Sequence, residues 1–219
     1  MKQKFIMAIM TVFVCCYANR VHAENRVDWG MNLALDVEIP GKWKGENHSV
    51  TMFSPGIGTS IGGVCNLYLG KGFYFEPGVS LFYSNYKYKD LVIPDAAHTS
   101  TEEDPKVTKY GLQIPLLFGY EINISDKFGL DVYTGPQIRY AFAGKVHFKN
   151  KAIQEEVGEF FDLWKINRRF DCSWKIGIGV PLINNCRLSL EADLGITDLL
   201  KEDMSFRENR VGLKFTKFF

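Results

Sequence analysis

Alternation constrains this chain more than any other feature. Over most of its length apolar residues recur at every second position, and short turns or longer polar segments break the runs. A period of two marks a strand with two unlike faces. The last segment is the clearest case. Asn209, Arg210, Val211, Gly212, Leu213, Lys214, Phe215, Thr216, Lys217, Phe218 and Phe219 alternate apolar with small or charged residues and stop on an aromatic. A strand at a chain end frays unless neighbours hold it, so this one is expected to close a sheet on itself.

The same reading gives the other strands. The first has Trp29, Met31, Leu33 and Leu35 on one face and Asp28, Gly30, Asn32, Ala34 and Asp36 on the other. The second places Ile57, Ile61, Cys65, Leu67 and Leu69 together, and Gly70-Lys71-Gly72 then makes a tight turn. The third shows Phe73, Phe75, Val79, Leu81 and Tyr83. A polar segment from Lys87 to about Lys109 precedes the fourth, with Tyr110, Leu112, Ile114, Leu116, Phe118 and Tyr120. Asn123 to Lys127 turns into the fifth, with Phe128, Leu130, Val132, Ile138, Tyr140 and Phe142. A second long segment, about Lys145 to Arg169, leads to the sixth, with Phe170, Cys172, Trp174, Ile176, Ile178 and Val180. Asn184-Asn185 turns the chain into the seventh, with Leu188, Leu190, Ala192, Leu194 and Ile196, and Lys201 to Glu208 joins it to the last. The count is about eight strands, with long connections alternating with tight turns, the pattern of bacterial outer-membrane barrels. An even number returns both ends to the periplasmic side.

Three observations turn the apolar faces outward, toward lipid. The faces are nearly unbroken over about 9–11 residues, enough to cross a bilayer at a tilt. Aromatics gather at strand ends: Trp29, Phe73, Phe128, Tyr120 and Phe219 on the periplasmic side, and Tyr83, Tyr110, Tyr140, Phe142, Phe170 and Trp174 outside. Such belts suit the headgroup interface. The opposite faces mix glycine and serine with charges of both signs, so that Glu121, Asp131, Glu191 and Asp193 can pair with Arg139, Lys175 and Lys214 in a narrow lumen. An eight-stranded barrel has room only for its own side chains, so no open pore is expected. Pro115 and Pro136 fall inside strands. Proline removes a ladder donor, and both are expected at bulges that bend the strand.

The front of the chain reads as a signal peptide over residues 1–23: Lys2 and Lys4, an apolar stretch from Phe5 to Tyr17, and small residues before Glu24. The mature domain is then 24–219, one all-β unit. Net charge is +1, which argues against a nucleic-acid partner. Cys65, Cys172 and Cys186 are an odd number without C-x-x-C spacing, so at least one thiol stays unpaired. Cys65 and Cys172 read as small apolar residues on strand faces. His48, His98 and His147 are scattered, which fits no metal site.

Four stretches resemble a known family, the porin-like or PorT-like outer-membrane β-barrel proteins of Bacteroidetes. They are Tyr110 to Phe118 (YGLQIPLLF), Tyr133 to Ile138 (YTGPQI), Arg169-Phe170-Asp171 followed by Lys175 to Val180 (KIGIGV), and the closing strand Asn209 to Phe219. The resemblance implies an integral outer-membrane barrel, some of whose relatives serve protein secretion. The chain is thus expected to be an all-β, eight-stranded antiparallel transmembrane up-and-down barrel in the bacterial outer membrane.

The loop 89–106 contains the acidic run Glu102-Glu103-Asp104, and the loop 145–169 sets Ile153, Val157, Phe160 and Trp164 at helical spacing. An amphipathic helix on the barrel mouth and continued strands beyond the membrane both fit the second loop. Function classes follow. The first is a non-enzymatic barrel that supports the envelope or binds a ligand or extracellular partner through its loops, where binding usually resides. The second is an accessory of transport or of a secretion system. The third, an enzyme acting on lipid or peptide, needs a nucleophile and base in reach. The adjacent His48-Ser49 points to opposite faces of an extended strand. No catalytic, cofactor-binding or metal residues are assigned, and the expected partners are outer-membrane lipid and proteins met through the loops.

Overall fold

The computed structural model describes residues 26–44, 49–51, 53–89, 91–94, 100–103, 105–125, 128–148, 163–200 and 205–219. The expected signal peptide, His48, His98, Asp104, the turn residues Asp126 and Lys127, and Ile153, Val157 and Phe160 lie outside them. The elements in chain order are β1 (Val27–Pro40), β2 (Trp43–Lys44), β3 (Ser49–Val50), β4 (Phe53–Gly70), β5 (Phe73–Tyr88), β6 (Leu91–Pro94), β7 (Ser100–Glu103), β8 (Lys106–Ser125), β9 (Phe128–His147), α1 (Leu163–Ile166), β10 (Phe170–Leu182), β11 (Cys186–Gly195) and β12 (Glu208–Phe218).

Eight of these strands close into one barrel in the order β1-β12-β11-β10-β9-β8-β5-β4, and β2–β3 and β6–β7 form separate two-stranded sheets. Every neighbouring pair in the ring is antiparallel. The last strand does close the sheet: its partners on β1 run from Gly30↔Phe218 to Pro40↔Glu208, and Phe219 N donates to Trp29 O at 2.8 Å. The start of β1 and the end of β12 therefore meet at one rim, the turn end. Two tight turns share that rim. Lys71 (φ 54°) lies between Gly70 and Gly72, and Asn184 and Asn185 have φ of 62° and 55°. Glycine enters this left-handed region without steric cost, and asparagine tolerates it.

Apolar side chains face outward. Leu33 is 50% and Ile176 49% exposed, while Glu38, Glu76 and Glu191 are buried inside. Cross-strand aromatic pairs mark two belts: Phe73–Tyr120 near the turn end, with ring centroids 4.7 Å apart, and Tyr83–Tyr110 toward the loop end, at 5.1 Å. The ten residue steps from Phe73 to Tyr83 along β5 rise about 25 Å at the usual tilt, the height of an outer-membrane apolar band. Trp174 lies deeper than Phe170, and its indole N–H donates to Thr134 Oγ1 at 2.7 Å, which satisfies the donor within the apolar band.

The wall is uneven. β4, β5, β8 and β9 span 18, 16, 20 and 20 residues, whereas β10, β11 and β12 span 13, 10 and 11. Pairing of β9 with β10 stops at Tyr140↔Phe170, but pairing with β8 continues to His147↔Lys106. A tall half-wall thus rises at the loop end. In it Tyr110 faces Ala143 and Gly111 faces Ala141, so Phe142 is an extra residue. This bulge swaps the faces of β9 and turns Val146 and Phe148 inward.

Bulges are not where the prolines suggest. Register stays constant past Pro115 and Pro136 on β8 and β9, and the shifts on this pair fall between Tyr110 and Gly111 and between Asn123 and Ser125. Each proline withholds one donor, which the ladder answers with a gap in pairing. No residue is inserted.

The inward glycines have a different use. Tyr74 lies opposite Gly119, Phe82 opposite Gly111, and Tyr133 opposite Gly177. A Cβ at Gly119 would stand 2.1 Å from the Tyr74 ring, at Gly111 2.5 Å from the Phe82 ring, and at Gly177 2.2 Å from the Tyr133 ring. Each ring lies over the bare backbone of the next strand, covering a residue that has no side chain to pack.

Candidate functional site

The lumen holds six buried cations (Lys109, Arg139, Lys175, Arg187, Arg210 and Lys214) and seven buried acids (Glu38, Glu76, Asp131, Asp171, Glu191, Asp193 and Glu208) among the described residues. All lie on inward positions of barrel strands, placed there by the period-two pleat. Unpaired, each would cost several kcal/mol to bury.

Ion pairs first tie strands that are adjacent or next but one in the ring. Lys175 Nζ on β10 is 2.5 Å from Glu191 Oε2 and 3.2 Å from Asp193 Oδ1 on β11. Arg210 on β12 reaches Asp193 Oδ2 at 3.1 Å and Asp171 Oδ2 at 3.2 Å, and its Nη2 donates to Ser173 Oγ. Lys214 on β12 pairs with Glu191. Tyr133 OH and Gln137 Nε2 donate to Glu191 and Asp193 at 2.7 and 3.0 Å.

Three further pairs join strands four places apart in the eight-strand ring, on opposite walls. Near the turn end Arg187 on β11 pairs with Glu76 on β5, and with Asp131 at 3.4 Å. Higher up, Glu38 on β1 meets Arg139 on β9 at 3.5 Å, and the Arg139 guanidinium lies 3.7 Å from the Phe82 ring centroid. Highest, Lys109 on β8 meets Glu208 on β12 at 2.5 Å. These are struts across the diameter.

Each end is stopped by apolar packing. Toward the turn end Tyr74, Leu117 and Tyr133 form one buried cluster. At the loop end a larger cluster fills the mouth. Phe53, Tyr86, Tyr88 and Val107 enter from the tall wall with Val146 and Phe148. Leu163 of α1, with Trp164 against it, and Leu199, Leu200 and Phe206 from the β11–β12 connection close over them. Phe53 contacts Tyr88 and Phe206 with centroids 4.6 and 5.0 Å apart. The connection is held in shape by Asp198, whose Oδ1 accepts from Phe206 N at 2.9 Å and Leu200 N at 3.2 Å. Arg168 N donates to Leu199 O at 2.7 Å, tying the two lid segments together.

Between the stops lie two cavities of about 20 Å³ each, one beside Gln137, Lys175 and Asp193 and one beside Lys109, Arg139 and Asp171. Each has room for about one water. Gln137 Oε1, Arg139 Nε and Asp171 Oδ1 border them with no hydrogen-bond partner among the described residues.

Of the charges expected to pair, Lys175, Lys214, Glu191 and Asp193 do form one cluster. Arg139 turns instead to Glu38, Asp131 turns to Arg187, and Glu121 takes no part in the central ion pairs. Glu38, Lys109, Arg187 and Glu208 are lumenal residues that the sequence reading misses. They lie just past the ends it gives the strands, and extending the alternation by a few positions finds them. Cys65 is buried, while Cys172 and Cys186 are half-buried free thiols. His147 is exposed on the outer face of β9.

A family model described as "Outer membrane protein beta-barrel domain" matches residues 18–201. No curated protein sequence matches the chain. Among solved structures, the outer membrane enzyme PagL aligns at 11% identity over 85% of this chain and 98% of its own, with a TM-score of 0.44. Neisserial surface protein A aligns at 12% over 87% and 97%, at 0.42. OprG from Pseudomonas aeruginosa aligns at 8% over 88% and 96%, at 0.43.

Proposed function

This chain belongs to the outer membrane protein β-barrel domain family and resides in the bacterial outer membrane; from that premise we propose that it is a non-enzymatic barrel without an open pore, whose external end binds a ligand or partner or braces the envelope. One observation carries the reading: struts cross the lumen from wall to wall beneath an apolar stopper. A lumen so filled has little room for a water column among the described residues, and it makes a stiff mount for whatever the loops present. No residue is assigned to catalysis, to a cofactor or to a metal.

The test is reconstitution of the intact chain into planar bilayers. The expected trace shows no steady unitary conductance in molar salt. Reproducible channel steps that vanish on heat unfolding overturn the closed reading. A deletion strain that has lost adhesion or gained detergent sensitivity then separates binding from bracing.

The four stretches that resemble PorT-like proteins of Bacteroidetes support a second reading, an accessory of transport or protein secretion. Crosslinking from the external loops to secretion proteins in cells is its signature.

A further inference from the structure

The tall half-wall has an outer face as well as an apolar inner one. Tyr86, Val107 and Val146 point into the cap, so the alternate positions on β5, β8 and β9 point away from it. There Lys87 lies directly opposite Lys106, and Lys106 directly opposite His147. One row lower, Lys145 lies opposite Thr108. All four basic side chains are exposed, and none joins an ion pair among the described residues. Like charges set directly opposite destabilise a sheet unless an anion lies between them.

Their height suits an anion at the level of the lipid headgroups. The Tyr83–Tyr110 pair marks the outer belt. Lys145 stands about 5 Å above it, and the Lys87–Lys106–His147 row about 10 Å above, at the usual rise and tilt. The headgroup zone extends about 5–8 Å beyond the hydrocarbon, so Lys145 stands within it and the Lys87–Lys106–His147 row just above it, where long flexible lysine stems reach its outer edge. On the opposite wall the outward residues Val37, Ile39 and Val211 are apolar and exposed, and Lys42 and Arg207 above them are exposed as well, so what sets the tall wall apart is its row of directly opposed basic residues. Three adjacent strands hold the cations about 5 Å apart, a spacing suited to the several oxygens of phosphate groups.

We propose that Lys87, Lys106, Lys145 and His147 form a binding site for the phosphate groups of an outer-leaflet glycolipid headgroup. The inference rests on the outer-membrane reading and on the outward orientation of this face. It makes the lipid a bound partner on one side of the barrel, beyond a general solvent.

The experiment uses the full mature chain refolded in detergent micelles, with heat-modifiable gel mobility to show that the barrel is formed. Binding of bisphosphorylated lipid A and of its dephosphorylated form is measured by native mass spectrometry. The wild type is expected to prefer the phosphorylated lipid. The Lys87→Gln/Lys106→Gln/Lys145→Gln variant is expected to lose about a hundredfold in that affinity, at roughly fivefold per cation, with no change toward the dephosphorylated lipid. Lys217→Gln, at the opposite rim, is expected to bind as the wild type does. Equal affinity of the wild type for the two lipids, or unchanged affinity in the triple variant, overturns the site. Competition by equimolar inorganic phosphate overturns the lipid as its occupant. Gel mobility of an unfolded chain in every variant and in the wild type indicts the barrel reading instead.

Discussion

The middle of the lumen and its external cap are both buried, yet they are built from opposite materials. The middle is held by charge: Arg187, Lys175, Lys214 and Arg210 against Glu76, Asp131, Asp171, Glu191 and Asp193. All of it comes from strands whose positions the closed ladder fixes. The cap is held by contacts between apolar side chains, several of them from α1 and the β11–β12 connection. Charge can fill the middle because no loop need move there. A segment that returns over the mouth adapts through packing, which is tolerant of angle. The barrel should therefore be stiff at its waist and softer at its lid, since local opening draws on regions with few ladder bonds.

Three substitutions test that contrast, from the strongest effect to the weakest. Arg187→Met removes the strut to Glu76 and leaves Asp131 without its partner. The expected loss is about 3–5 kcal/mol of global stability, read as urea unfolding in lipid vesicles. A loss under about 1 kcal/mol would mean that the waist is mere filler. Phe206→Ala empties a site in the cap that is 1% exposed. It is expected to cost about 3 kcal/mol, confined to the lid: amides of residues 196–200 and 205–207 exchange faster while the urea midpoint of the barrel holds. A matching fall in that midpoint would make lid and waist one cooperative unit.

The smallest effect is a pH response in the lid alone. Partial burial opposes ionisation of Asp198, but the N–H groups of Phe206 and Leu200 outweigh it and hold the carboxyl below its usual range. A depressed carboxyl stabilises the folded lid above the ordinary aspartate value, near about 4. That contribution is lost as pH falls from there through the lower folded value. Protection of the Phe206 amide is expected to drop over this acidic window and to become flat with pH in Asp198→Asn. A response of the same size in the Asn variant would assign the effect to another group.

Much of this was readable from alternation. Leu33, Leu116 and Ile176 announce an apolar exterior, and Glu191, Asp193, Lys175 and Lys214 announce an ionic interior, because a period of two carries face directly. What alternation hides is any departure from it. The extra residue at Phe142 reverses the faces of β9, so Val146 and Phe148 enter a core that a strict count would place outside. Leu199, Leu200 and Phe206 sit in a connection with no period at all, and only the closed barrel brings them over the mouth. Pro115 and Pro136 mislead for another reason: a missing donor is compatible with either a bulge or a gap in the ladder, and the sequence does not distinguish the two. Arg139 with Glu38 and Lys109 with Glu208 meet across the diameter, a distance that no local spacing encodes.

The three glycine–tyrosine and glycine–phenylalanine partnerships have a lasting effect on how this chain can change. Alanine at 119 collides with the ring of Tyr74, and alanine at 177 with that of Tyr133, so neither codon can drift alone without expelling its neighbour. Interior shape is thereby inherited two positions at a time.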